Sequence, residues 1–200
     1  IADPQSAMYI NDFNPRVGEI YPRTRNILNK VGTAFDVYSF NDIGRVDMSQ
    51  YKFFVFPASF KIDKKRMQML QKHIFKDGKT SLFMYAPAII NDTSLDIDNV
   101  RKFIGVDYAS KGIQVVKKDN YTLVYIHNYS DFNLDVAHSL AEKAGVKMIS
   151  KYGDVVYANQ KFISVHSNEG GQRLIKLPFR CKKVSEAYTK KVVGYNCDEV

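Results

Sequence analysis

Few side chains in this sequence could do covalent chemistry, and they are scattered. The four histidines, His73, His127, His138 and His166, form no close pair of the HExxH kind, so no metal centre is expected. Cys181 and Cys197 both lie near the C-terminus at a spacing that fits no four-ligand zinc pattern. A disulfide between neighbouring strands and a pair of buried thiols both remain open for them. No GxGxxG or GxxxxGK(S/T) phosphate loop occurs, so no nucleotide cofactor is expected. Hydrolysis or amide transfer through a covalent intermediate needs a nucleophile on a tight turn after a strand, with a base beside it. After Leu82-Phe83-Met84 the chain runs Tyr85-Ala86-Pro87-Ala88, which supplies neither Cys nor Ser. Ser59 is the only hydroxyl nucleophile expected at a strand end. No base is placed beside it, and a serine bonding its own turn is the simpler role. Glycosidic cleavage needs two carboxyl groups facing one cleft. Asp3 and Asp92 fall near the same expected sheet edge, but Asp3 is better suited to capping the segment that follows it. No catalytic residue is assigned. Asp3, Ser59 and Tyr85 stand as candidate ligand-binding residues at the strand ends.

The elements that would position these residues alternate strand and helix from Asp3 to about Ser150. Apolar residues at Val17, Ile20, Ile27, Leu28 and Val31 predict a helix over 16–30, with Pro15 before it and Gly32 after it. Phe35 to Phe40 alternates like a strand, and Tyr51 to Pro57 is the nearly continuous apolar run of a central parallel strand. Asp63 is a helix N-cap, Met67, Leu70, Ile74 and Phe75 share a face, and Gly78 closes that helix. Thr80–Tyr85 is a further strand and Asp96–Ile104 a helix ending at Gly105. This order argues for right-handed crossovers and a parallel sheet whose ligands would bind at the carboxyl ends of the strands. Gly112–Lys118 and Tyr121–His127 flank Asp119-Asn120 and should pair antiparallel. Asp131–Ala144 is an amphipathic helix. Beyond Ser150 five short strands are expected around 154–157, 162–166, 173–177, 183–187 and 191–195. Turns at Asn159-Gln160 and Glu169-Gly170-Gly171 would fold them into a small antiparallel sheet. The domains are therefore 1–150 and 151–200, and Ile1-Ala2-Asp3 reads as the tail of a first strand that begins further upstream.

The 200 residues can bury a sizeable core, and 45% hydrophobic with 25% charged residues is ordinary for a globular protein. No apolar run is long enough to span a membrane. The net charge of +8 is spread through small clusters such as Lys64-Lys65-Arg66 and Lys190-Lys191. Without a concentrated basic patch or aromatic-interleaved motif, neither nucleic acid nor membrane is expected as a partner. Asn91-Asp-Thr, Asn120-Tyr-Thr and Asn128-Tyr-Ser have the form of glycosylation triplets, which matter only in a secreted eukaryotic protein.

Four stretches taken together carry a resemblance: Ile1 to Ser6, Gly32 to Tyr38, Tyr51 to Phe60, and Gly78 to Pro87. They resemble the trimerisation-like domain of β-galactosidases of glycoside hydrolase family 42 and related uncharacterised bacterial proteins. The stretches 144–146, 154–159, 162–166 and 173–178 resemble the C-terminal β segment of such proteins. The resemblance implies a flavodoxin- or class I glutamine amidotransferase-like α/β fold that lacks the amidotransferase nucleophile, followed by a small β domain. It also implies an accessory, oligomerising role beside a (β/α)₈ catalytic barrel that this sequence does not contain. The partners implied are that barrel, sister subunits and, as an alternative reading, a carbohydrate at the strand-end cleft. The family's catalytic residues belong to the barrel, so none is carried over, and no cofactor is implied.

Overall fold

The computed structural model describes residues 1–10 and 19–200. Its centre is a four-stranded mixed sheet of β1 (Phe53–Phe56), β2 (Lys79–Met84), β3 (Ile113–Lys117) and β4 (Tyr121–Ile126), in the order β1-β2-β4-β3. The β1, β2 and β4 strands run parallel, and β3 returns antiparallel against β4 across the turn at Asp119-Asn120. The helices are α1 (Pro4–Ala7), α2 (Ile20–Leu28), α3 (Lys64–His73), α4 (Asp98–Ile104) and α5 (Leu134–Lys143).

Strand periodicity sorts the core into two layers. Phe54, Phe56, Phe83, Leu123 and Tyr125 face one side, where they pack with Leu70 and Ile74 around α3 and Val100 and Ile104 of α4. Val55, Leu82, Met84, Val124 and Ile126 face the other, against Ala137, Leu140 and Ala141 of α5, with Ile27 and Leu28 of α2 beside them. Every residue of β2 is buried, as a parallel strand covered on both faces requires. Phe56 and Phe83 stack at 4.4 Å between ring centroids.

Local signals set the helix ends. Asp63 accepts from the Arg66 N–H at 2.8 Å, and Asn133 caps α5 by accepting from Val136 N–H at 3.0 Å. Gly105 ends α4 with φ +95°. The predicted helix over 16–30 is observed as α2; its expected start at Pro15 and Arg16 lies outside the described residues. The α3 helix stops at His73, and Gly78 instead turns the chain into β2 with φ +70°.

Two regions differ from the sequence expectation. Residues 35–38 form no strand; Tyr38 O accepts from Ala2 N–H, and Ser39 makes the parallel bridge to Ala2. Beyond Ser150 there are two separate antiparallel ribbons, β5 (Val155–Ala158) with β6 (Ile163–His166), and β7 (Lys176–Ser185) with β8 (Val192–Glu199). The 183–187 strand is the end of the long β7, and Glu169-Gly170-Gly171 joins two ribbons that do not pair. The Asn159 turn is as expected: its carboxamide oxygen accepts from the N–H groups of Lys161 and Phe162. No helix among the described residues is long and apolar enough to cross a membrane.

Candidate functional site

Parallel strands direct their C-terminal ends toward one rim, and here that rim carries Pro57–Phe60 after β1, Tyr85–Ala88 after β2 and His127–Ser130 after β4. Asp3 joins it through the Ala2–Ser39 bridge. The rim has a dry polar layer and an open cleft.

Asp3 anchors the dry layer. It caps α1 by accepting from Gln5 N–H at 3.1 Å, and its other carboxylate oxygen accepts from the Ser6 hydroxyl. Arg66, one turn into α3, closes a bidentate pair on it, with Nη1 at 2.8 Å and Nη2 at 2.7 Å. The same Nη1 donates to Lys61 O at 2.7 Å, and the guanidinium lies 4.3 Å from the centre of the Phe40 ring. Ser6 Oγ in turn accepts from Phe60 N–H at 2.7 Å. Both side chains of the ion pair are almost fully buried, at 0% exposure for Asp3 and 5% for Arg66. A fork-to-fork pair with its remaining lone pairs satisfied ties the strand stub at Ile1–Asp3 to α3. It leaves Asp3 no free acceptor for a ligand. Ser59 is also buried, and its hydroxyl has no hydrogen-bond partner among the described residues.

Of the three candidate residues, Tyr85 lines the cleft, while Asp3 and Ser59 do not. The cleft, about 390 Å³, is bordered by Glu19, Arg23, Tyr85, His127, Tyr129 and Ser130 among others. Tyr85 sits on the sharp turn that leaves β2, with φ +63°, a left-handed conformation unusual for an aromatic residue. Three contacts hold it there. Its N–H donates to Ile126 O at 2.8 Å, and its carbonyl accepts from the Tyr125 hydroxyl at 2.6 Å. Its ring is wedged against Phe60, Tyr108, His127 and Tyr129 at centroid distances from 5.7 to 6.0 Å.

The Tyr125 hydroxyl also lies 2.6 Å from Tyr108 O, so its proton is committed to carbonyl oxygens. His127 Nδ1, at 3.3 Å, is then the donor to the Tyr125 oxygen. Tyr129 donates to Pro57 O at 3.0 Å. Burial pushes the Tyr108, Tyr125 and Tyr129 phenols well above their ordinary range, and the neighbouring tyrosines add to the shift. Among the described residues, the site is an aromatic surface with one carboxylate, Glu19, and one guanidinium, Arg23, at its edge. Such a surface is equipped for stacking and hydrogen bonding.

Sequence reasoning passed over Arg23, His127 and Tyr129. The available signal was positional, since His127 and Tyr129 directly follow a strand that ends at the same rim as β2. Among the described residues, no group of three His, Cys, Asp or Glu side chains is placed to hold a metal ion. No known family model matches the chain, and no curated protein matches it at a significant level.

Proposed function

We propose that this chain is a non-catalytic accessory module of a glycoside hydrolase-like protein, built on an amidotransferase-like α/β scaffold and serving to hold a larger assembly together. One observation carries the reading. The turn after β2 has the strained backbone on which such scaffolds present a nucleophile, yet it bears Tyr85, whose ring is packed among four others. The succession of 38–40, 1–3, β1, β2 and β4 across the sheet agrees with a flavodoxin-type strand order. Large apolar side chains left in solvent, Leu95 at 72% and Tyr188 at 94% exposure among them, supply surface for a barrel or a sister subunit to cover.

Light scattering across a concentration series at moderate salt tests the assembly role. A stable dimer or trimer is expected, whereas a monomer at every concentration would remove self-association by this chain. A second reading, a sugar- or small-molecule-binding module, is favoured by the aromatic cleft itself. Its test is calorimetric titration with simple sugars against the Tyr85→Ala variant; heat that is unchanged by the substitution would sink it.

A further inference from the structure

The C-terminal ribbon brings together two sulfurs that lie far apart in sequence. Cys181 and Cys197 are the two cysteines of the chain. The β7–β8 register sets them directly opposite each other, in a stretch that runs without a shift through the Lys183–Tyr195 pair to Val184–Gly194. Opposed residues of an antiparallel pair share a face. Their Cα atoms are about 4.5 or 5.5 Å apart, according to whether the pair exchanges main-chain hydrogen bonds. Both spacings lie within the roughly 4.4–6.8 Å that a disulfide spans.

Both cysteines are free thiols here, and both are half-buried, so a reagent in water reaches them. Cys181 Sγ donates to Phe179 O at 3.5 Å. Cys197 Sγ rests over Gly194, where a Cβ would stand only 2.6 Å from it. Gly194 has no positive φ that calls for glycine; it supplies room for this sulfur and for Val200. Rotation about the two Cα–Cβ bonds is the motion that joins the sulfurs, and the strand spacing already permits it. The surroundings give such a bond a task, because a two-stranded hairpin is marginal by itself. Among the described residues β7 and β8 pair only with each other, and of their side chains only Leu177 is buried. Lys176 N–H donates to Ile149 O at 2.8 Å, which ties the ribbon to the rest of the molecule at its base. The cysteine pair lies just beyond that tie.

We propose that Cys181 and Cys197 form a covalent closure site, oxidised to a cross-strand disulfide by exchange with a small-molecule disulfide such as oxidised glutathione. One cysteine thiolate attacks a sulfur of the reagent and expels one thiolate, leaving a mixed disulfide. The second cysteine thiolate attacks the protein sulfur of that bond and expels the other thiolate. Two cysteine thiols become one disulfide, the reagent is reduced to two thiols, and the two cysteine protons end on those thiols. Closure restricts the unfolded ribbon and leaves the folded one in register.

The test equilibrates the 200-residue chain, at low concentration, with mixtures of oxidised and reduced glutathione in buffer and in denaturing urea. Intact mass and peptides are read after alkylation. In buffer the expected product has lost two hydrogens and yields the Cys181 and Cys197 peptides joined within one chain. The effective concentration of one thiol at the other should be about tenfold or more higher in buffer than in urea, because the ribbon holds the two opposed. Hydrogen exchange across residues 181–197 should slow by a similar factor on closure. Cys181→Ser and Cys197→Ser should each stop at the mixed disulfide and show no slowing. Failure to close at any ratio, separate glutathione adducts on the two cysteines, or a disulfide joining two chains would overturn the proposal. Equal effective concentrations in the two solvents, or slowed exchange in a single variant, would overturn it as well.

Discussion

Two Asp–Arg pairs, one under the four-stranded sheet and one among the C-terminal ribbons, perform the same task in different surroundings. Asp3–Arg66 is bidentate and sealed, with 0% and 5% side-chain exposure, and it joins segments 63 residues apart. Asp154–Arg173 uses a single bond from Nε at 2.9 Å, with Arg173 at 17% exposure, and joins segments 19 residues apart. Asp154 also accepts from Ser150 at 2.8 Å, and Arg173 reaches the Ser167 hydroxyl. The first pair is locked by a core on every side. The second is itself much of what holds the 150–173 region together, because the ribbons around it bury little. Similar chemistry thus supports a core in one place and substitutes for one in the other.

The largest effect expected from this contrast comes from Arg66→Ala, which strands a buried carboxylate and should destabilise the fold by about 3–5 kcal/mol in urea unfolding. Arg173→Ala should cost roughly 1–3 kcal/mol, since Arg173 makes a single bond to the carboxylate and is itself 17% exposed. Equal losses for the two variants would break the comparison.

Acid unfolding sharpens it. Burial works to raise the Asp154 carboxyl, but hydrogen bonds from Ser150, Arg173 and Ser167 outweigh it and hold the group below its ordinary 3.8. Its contribution is therefore complete above that value and is lost as pH falls through the lower folded value. Asp154→Asn should be less stable at neutral pH and should show a flatter decline in this acid range, as followed by circular dichroism. At the ribbon tip, the Thr189 side chain and the Tyr188 and Thr189 amides bring Glu186 down to about 2. A carbon-detected titration should find its midpoint there, and a midpoint near 4.5 would mean that the turn is not formed. The smallest effect belongs to Phe179→Ser on the exposed ribbon face, expected within about 0.5 kcal/mol of the parent.

The contrast also explains what could be read in advance. Asp63, Gly105 and the Asp119-Asn120 turn act within a few residues of themselves, so their roles were legible in the sequence. The apolar runs of β1, β2 and β4 were legible because burial on both faces leaves an unbroken hydrophobic string. Arg66 was not: inside Lys64-Lys65-Arg66 it looks like one more surface cation, and only the crossover through β1 brings it to Asp3. The 35–40 stretch has strand alternation, yet pairing depends on a neighbour, and only Ser39 has one. In the ribbons, short alternating segments with weak burial do not determine which strand pairs with which, so one long β7 read as two strands. At the rim, Tyr85 was legible from its place after β2, whereas the aromatic cluster around it arises from three separate segments.

The packed tyrosines give the molecule a built-in optical gauge. The sequence has 13 tyrosines and no tryptophan, so near-ultraviolet absorption and emission are dominated by phenols. Tyr108, Tyr125 and Tyr129 resist ionisation while folded. Raising the pH past 10 therefore favours the unfolded chain, in which every phenol is free to ionise. An alkaline titration should divide into a gradual, reversible rise from the surface rings and a later, abrupt one at which colour and fold are lost together.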